Sequence, residues 1–514
     1  MIPLLAHYYY NSLFCTNNNN NNNNALLLRV IGVILLVAAA VEYFPQQVIS
    51  SPAGGSKVVD YLPGFDGPLP FHLETGYIGV GESEEIQLFY YFVKSETNPK
   101  DDPVILWLSG EQGCSSLTGL VYEIGPLFFE AKMYNGTLPT LWLNEQPLTK
   151  NASIIFLDQP ANVGFSYSTT GAIYTDVQAS NYVYQFLQKW FSVNENFISN
   201  PFYIASGSHG ALIVPTIIQI ISYGNEAAEK PINLKGYILG NPKTFPGEKN
   251  FIVPFAYGMG LLSHDLYQSL AESCKRRYIH VDPKNKLCSE NLKEFQKLID
   301  GLPEHHIIEP YCGLEEPEVK SSATSRRAAL SELQMIKSFE EKYVNPYGDD
   351  DHERVWCRVD YHRLSNYWAN HPSVQKALHV RKGFLGRKWA RCNWKTVSKT
   401  YKVTIHDTIQ QHATLSAKGY RSLIYSGDHD MVVPFQSTEA WIKSLNYSIH
   451  FDWVPYMVKE QVGGYTRNFT NQMTFATVKA AGHIAGEYKP EECAALIARW
   501  ISGKDISTFP QDIV

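Results

Sequence analysis

The sequence predicts an α/β fold: a mixed, mostly parallel sheet covered by helices, with a helical and looped insertion. Three observations predict it. Apolar, β-rich runs alternate with a helix-patterned run through residues 70–240. Each such run ends in turn residues, as strands covered on both faces do. Three polar segments far apart, SGSHG (206–210), SGDHD (426–430) and AGHIA (481–485), supply a serine, an aspartate and a histidine in that order.

The elements follow in chain order. PVILWLSG (103–110), ASIIFLDQP (152–160) and PFYIASGS (201–208) read as parallel strands. SNYVYQFLQKWF (180–191) has helical apolar spacing between two of them. After Pro215, TIIQIIS continues a helix behind Ser208. Residues 255–355 are richer in Lys, Glu and Cys and read as a lid or insertion. Strands return with RSLIYSGDHD (421–430) and MTFATVKAAGH (473–483), and EECAALIARWISG (491–503) reads as a closing helix.

Ser208, Asp430 and His483 stand in the chain order of an α/β-hydrolase triad, with the serine on a strand-to-helix turn. A serine hydroxyl is a weak nucleophile alone. It needs an imidazole to take its proton and a carboxylate to orient that imidazole.

Composition narrows the rest. An apolar content of 44% in 514 residues supports a sizeable core, and a net charge of −6 gives no electrostatic case for nucleic acid. The acidic run GDDDHE (348–353) reads as a solvated loop, and the cysteine spacings suggest no zinc site. Residues 1–45 read as a secretory leader: Arg29, a 12-residue apolar run Val30–Val41, and Ala38, Ala39 and Ala40. The run is short for a span of about 20 residues, so an uncleaved anchor is the lesser reading. Eight asparagines at 17–24 cannot build a core. Sequons at Asn135, Asn151, Asn446 and Asn468 agree with secretion. Beyond Cys15, seven cysteines allow three bridges and one free thiol.

LETGYIGVGE, LWLSGEQGCSSLTGLVYEIGP, IIFLDQPANVGFSY, NPFYIASGSHGALIVP, GYILGNP, YSGDHDMVVPF and AGHIAGEYKPEEC resemble the plant serine carboxypeptidase-like family, over about residues 69–504. Within it they are closest to the acyltransferase branch, which uses 1-O-acylglucose donors. The resemblance implies an α/β-hydrolase domain over 60–510, glycosylated and secreted or vacuolar, with no cofactor or metal. It makes Ser208 the nucleophile, His483 the general base and Asp430 its orienting acid. The oxyanion donors would be the backbone amides of Glu111 and His209. Ser109, Gly110, Glu123 and Gly207 take the substrate-binding positions. The implied bridges are Cys274–Cys288, Cys312–Cys357 and Cys114–Cys392, leaving Cys493 free. Some members of that branch lose a linker and mature as two chains; here 313–350, with Arg326-Arg327, lies where it would be.

Departures from the family pattern sharpen the expectation. The elbow GESYAG becomes SGSHGA, with Ser206 for glycine, His209 for tyrosine, and Gly207 for an acid that helps bind a peptide's terminal carboxylate. Ser109 replaces that acid's partner asparagine, which argues against exopeptidase action. GGPGCSS becomes GEQGCSS, so Glu111 is expected to crowd the oxyanion hole or bring negative charge to it. Ala161-Asn162-Val163 replaces a glycine-bearing run in a loop expected to border the site. The reading is an acyltransferase taking a small-molecule donor and acceptor, as a monomer or a two-chain heterodimer. The alternatives are a carboxypeptidase or esterase acting on a peptide C-terminus or ester, and a catalytically impaired relative.

Overall fold

The computed structural model describes residues 56–111, 113–312, 357–381, 384, 387–504 and 506. The leader, Gln112, the linker 313–350 with Arg326-Arg327, and the acidic run 348–353 lie outside the described residues.

One large sheet organises the described chain. Its strands are β1 (Lys57–Val58), β2 (Leu73–Val80), β3 (Ile86–Val93), β4 (Val104–Leu108), β5 (Ser153–Leu157), β6 (Tyr167–Ser168), β7 (Phe202–Gly207), β8 (Leu234–Gly240), β9 (Arg421–Gly427), β10 (Ile449–Val458), β11 (Gln461–Phe469) and β12 (Met473–Val478). They lie in the order β1-β2-β3-β5-β4-β7-β8-β9-β12-β11-β10, with β6 on β3. The middle, β5-β4-β7-β8-β9-β12, is parallel throughout. Both flanks are antiparallel.

The period of two sorts each strand between two cores. Val104, Leu106 and Leu108 enter one apolar cluster, and Ile105 and Trp107 the other. Helix α1 (Asp176–Val193) covers the first face with Val183, Phe186, Leu187 and Trp190. A reciprocal Thr175–Gln178 capping box starts it, satisfying amides that have no intrahelical partner. Helix α2 (Val214–Ala227) adds Val214, Ile217, Ile218 and Ile221 to the same face, with Pro215 in its first turn. The other face is covered by Leu364 and Trp368 of α6 (Arg358–Ala369) and by Leu496, Ile497 and Trp500 of α8 (Pro490–Ile501).

The start of the expected insertion carries α3 (Ile252–Gly258), α4 (His264–Ser273) and α5 (Lys286–Ile299). These helices enclose a small third core of their own, with Leu270, Phe295 and Ile299, pinned by the Cys274–Cys288 bridge.

Register brings the chemistry to one end of the sheet. Gly207 lies beside Gly240, Gly240 beside Tyr425, and Gly427 beside Val478. Ser208, Asn241, Asp430 and His483 therefore leave neighbouring parallel strands at their carboxyl ends, where open α/β sheets bind ligands.

Candidate active site

Ser208 follows β7 directly and opens the turn Ser208–Leu212 that leads into α2. Its φ is +42°. That left-handed conformation costs an L-residue about 1–3 kcal/mol, so the surroundings must hold it. They do: Gly210 N donates to Gly110 O (2.8 Å) and Lys243 N to Ser208 O (3.0 Å). Small residues are needed here for contact reasons. A Cβ at Gly110 would sit 3.0 Å from the Gly207 carbonyl carbon, and one at Gly207 only 2.9 Å from Gly240 O. Ser206 is 1% exposed, and its Oγ is packed against Gly210 with no hydrogen-bond partner among the described residues. The serine at this position is thus accommodated, at the expense of a buried unsatisfied hydroxyl.

The three separated segments meet. His483 Nε2 is 2.8 Å from Ser208 Oγ, and His483 Nδ1 is 2.8 Å from Asp430 Oδ2. Asp430 is fully buried and its carboxylate is saturated with donors. Asn241 Nδ2 donates to Oδ2 (2.8 Å), and the amides of Val432 (2.8 Å) and Val433 (3.3 Å) donate to Oδ1. Such bonds fix the orientation of the carboxylate. Asp428 takes another role: its Oδ1 accepts from Ala480 N (2.7 Å) and pairs with His429 Nδ1 (2.6 Å), locking the turn.

Ser109, Gly110, Glu111, Glu123, Gly207, Ser208 and His483 line one narrow cleft, together with Trp107, Thr118, Asn241, His305 and Arg391. Glu123 is pushed up to about 8 by burial and by the nearby charge of Glu487, against the opposing pull of Thr118 and Arg391. At neutral pH it is a neutral acid and a hydrogen-bond donor. Thr118 and Arg391 are the polar groups beside Glu123 in the cleft. Arg391 precedes Cys392, whose bridge to Cys114 fastens it to the loop after β4. Its signal in the sequence was only adjacency to a cysteine. Asn241 was visible only as the end of GYILGNP.

Glu111 lines the cleft and also touches a disulfide. Its Oε2 lies 3.3 Å from Cys114 Sγ, so the carboxylate rests against the Cys114–Cys392 bridge. A disulfide sulfur has no proton to give, so this is contact without a hydrogen bond. The same three residues make the one cluster of metal-type ligands found among the described residues, but bridged sulfurs are not thiolates and cannot ligate as such. His209 keeps its backbone amide at the start of the turn, while its ring faces Asp176, Lys243 and His406 rather than the cleft. Burial and the Lys243 charge lower it to about 4.

The loop at Ala161-Asn162-Val163 needs correction. It does not line the cleft: Ala161 and Val163 are buried in the core, and Asn162 O accepts from Asn393 Nδ2 (3.0 Å). Cys312 is bridged to Cys357, and Cys493 is a buried free thiol. Asn135 and Asn446 are exposed. Asn151 is also exposed, but its sequon serine, Ser153, is fully buried. Asn468 is half-buried, with its Oδ1 sealed.

A serine on a strand-to-helix elbow, with its histidine and aspartate after later strands of the same sheet, defines the α/β-hydrolase class. The solved structure of Kex1ΔP, a prohormone-processing carboxypeptidase from Saccharomyces cerevisiae, shares this fold with a TM-score of 0.63 at 17% identity, covering 87% of this chain and 95% of that one. The chain belongs to the serine carboxypeptidase family (peptidase S10), which matches residues 63–503. Among its relatives, serine carboxypeptidase-like 11 of Arabidopsis thaliana is 46% identical over 462 residues, 89% of this chain and 97% of that protein. Serine carboxypeptidase-like 2 of the same plant is 45% identical over 455 residues, 88% and 93% respectively.

Proposed function

We propose that this protein is a serine carboxypeptidase-like acyltransferase that moves an acyl group from a 1-O-acylglucose to a small-molecule acceptor. One observation carries the reading. The Ser208–His483–Asp430 hydrogen bonds are complete, while the positions that would hold a peptide's terminal carboxylate are Gly207 and Ser109. Neither offers a charged or amide side chain, so a terminal carboxylate there would be desolvated without its usual partners. Nor is there room at 207 for a longer side chain without moving β8.

In this mechanism His483 Nε2 takes the Ser208 Oγ proton as Oγ attacks the acyl carbonyl. The amides of His209 and Glu111 face the developing oxyanion. The C–O bond to the sugar breaks, and His483 returns the proton to the departing glucose oxygen. An acceptor hydroxyl or amine then loses its proton to His483 and attacks the acyl-serine, releasing product and Ser208. Asp430 keeps the imidazole in the tautomer both half-reactions need.

A second reading, hydrolysis of a peptide C-terminus, draws on one observation: Arg391 and a neutral Glu123 line the cleft and could donate to a carboxylate. Mass-detected assays separate the two. A 1-O-acylglucose with mixed alcohol and amine acceptors should give an acylated acceptor and free glucose. Release of a C-terminal amino acid from blocked peptides, without any transfer product, would refute the proposal.

Three disulfides and the family place the chain in the secretory pathway, and among the described residues no helix is long and apolar enough to cross a membrane. We extend this to an extracellular or vacuolar location, as a monomer or as two bridged chains.

A further inference from the structure

Two triad residues sit on separate loops, and one short segment touches both. Residues 304–309 run between the loop that carries Asp430 and the loop that carries His483. Met431 N donates to Glu304 O (2.9 Å), and Ile307 N donates to His429 O (3.2 Å). On the other side His483 N donates to His305 O (2.7 Å). Gly482 permits this approach, since a Cβ there would lie 2.2 Å from His305 O. The His306 ring stacks on His429 at 5.7 Å and meets Tyr488 at 4.4 Å.

This segment has no strand or helix of its own, so something else must fix it. Arg358, the first residue of α6, does so. Its Nε and Nη2 reach Glu309 Oε1 (2.7 and 2.5 Å), and its Nη1 reaches Glu487 Oε1 (2.8 Å). Glu487 is four residues beyond His483, in the short helix α7 (Ala485–Tyr488), and its side chain is 3% exposed. His362 Nε2 approaches the same carboxylate oxygen at 2.7 Å. The guanidinium also lies 4.2 Å over the Tyr488 ring. A planar, always-charged fork can hold two carboxylates and a ring at once, where an ammonium acts as one point charge. Because the pairs are largely enclosed, removing Arg358 takes the compensating charge from Glu309 and leaves Glu487 with His362.

We propose that Arg358 is a positioning residue for the Ser208 site: by clamping Glu309 to Glu487 it fixes residues 304–309 as a strut that sets the Asp430 and His483 loops against each other. Arg358 touches no reacting atom. It acts through the strut on a geometry whose two hydrogen bonds are each 2.8 Å. A small misplacement there costs rate far more than substrate binding. The inference rests on the triad reading above.

The test compares wild type with Arg358→Met, Arg358→Lys and Glu309→Gln, beside Leu187→Ala in α1, a core lesion on the opposite face of the sheet. Two quantities are read: the rate constant for inactivation by diisopropyl fluorophosphate, and kcat and KM for p-nitrophenyl acetate. Folding is checked by circular dichroism. Arg358→Met should lower the inactivation rate and kcat about tenfold or more, with KM within about twofold of wild type. Arg358→Lys should recover part of the loss, and Leu187→Ala should lower the melting temperature but not the rate constant. If Arg358→Met does not fold, Glu309→Gln carries the test, with a loss of about threefold or more. A folded Arg358→Met or Glu309→Gln that reacts at the wild-type rate overturns the proposal. So does an equal rate loss in Leu187→Ala. An unreactive wild type would instead sink the triad reading itself.

Discussion

Replacing Glu123 with glutamine should flatten the loss of stability with rising pH. Glu123 goes from an ordinary 4.5 to about 8 in the folded protein, mainly through burial and then through Glu487. A folded-state value above the unfolded one means the native protein holds a proton that the unfolded chain gives up. The contribution is therefore full below 4.5 and is lost as pH rises through about 8. The span is 3.5 (8 minus 4.5), and at about 1.4 kcal/mol per pH unit the ceiling is about 5 kcal/mol. Glu123 lines the cleft and is only half-buried, so solvent screening brings the expected difference to about 2–3 kcal/mol. Asp158 and Glu248, both pushed up to about 7 by burial, add losses of the same sign in wild type and variant alike. Glu487 has the opposite sign. Burial alone would raise it, but His362 and Arg358 hold it at about 2, so its contribution is lost only in acid, between 4.5 and about 2. His209 and His412, lowered by burial to about 4 and about 3, oppose this below 6.5, so the wild-type fold should lose stability most steeply between pH of about 6.5 and 8. Urea unfolding, with the disulfides intact, at pH of about 5, 6.5 and 8 measures the slope. The reasoning fails if Glu123→Gln and wild type show the same slope, or if wild-type stability rises between pH of about 6.5 and 8.

Ser206→Ala should stabilise the protein by about 1 kcal/mol, read as a higher melting temperature, because it removes a buried hydroxyl that has no partner. Glu111→Gly with Gln112→Pro should raise turnover about tenfold, by removing a carboxylate from the cleft where the oxyanion develops; an unchanged kcat in a folded protein would show that this loop is not limiting. Cutting the chain after Arg327 should leave Ser208 reactivity unchanged, since Cys312–Cys357 and the Arg358–Glu309 pair hold both flanks; loss of fluorophosphate labelling on nicking alone would contradict this. Asn241→Ala should lower kcat at least about tenfold by removing a donor from the buried Asp430 carboxylate, measured with a p-nitrophenyl ester.

The parts of the site legible in the sequence are residues with nucleophile, base or acid chemistry in short turns after a strand. Ser208 comes straight after an apolar run, Asp430 and His483 follow two others, and the shared end of a parallel sheet brings them together. Contacts between distant segments with no shared period stayed hidden. Arg358, Glu309 and Glu487 belong to three separate segments, and nothing local in their sequence marks them as partners. Arg391 reaches the cleft through a disulfide, not through a motif. The β10–β11 hairpin was missed for another reason. Its pairing shifts register at three places, which breaks the alternation by which a strand is recognised. The run at 161–163 looked like a border of the site because of its place in a motif, yet its small apolar side chains turn into the core. Glu111 was read as an intrusion because a glycine position took a long side chain; the disulfide its carboxylate touches could not be seen from that motif, and the residue still lines the cleft.

The central claim is that Ser208 is an activated nucleophile held by His483 and Asp430. Fluorophosphonate labelling of the purified, secreted protein, read by intact mass, tests it most directly, beside Ser208→Ala and heat-denatured wild type. A single adduct on native wild type, absent from both controls, is the predicted result. A well-folded wild type that takes no adduct, or an adduct that persists in Ser208→Ala, would contradict the account.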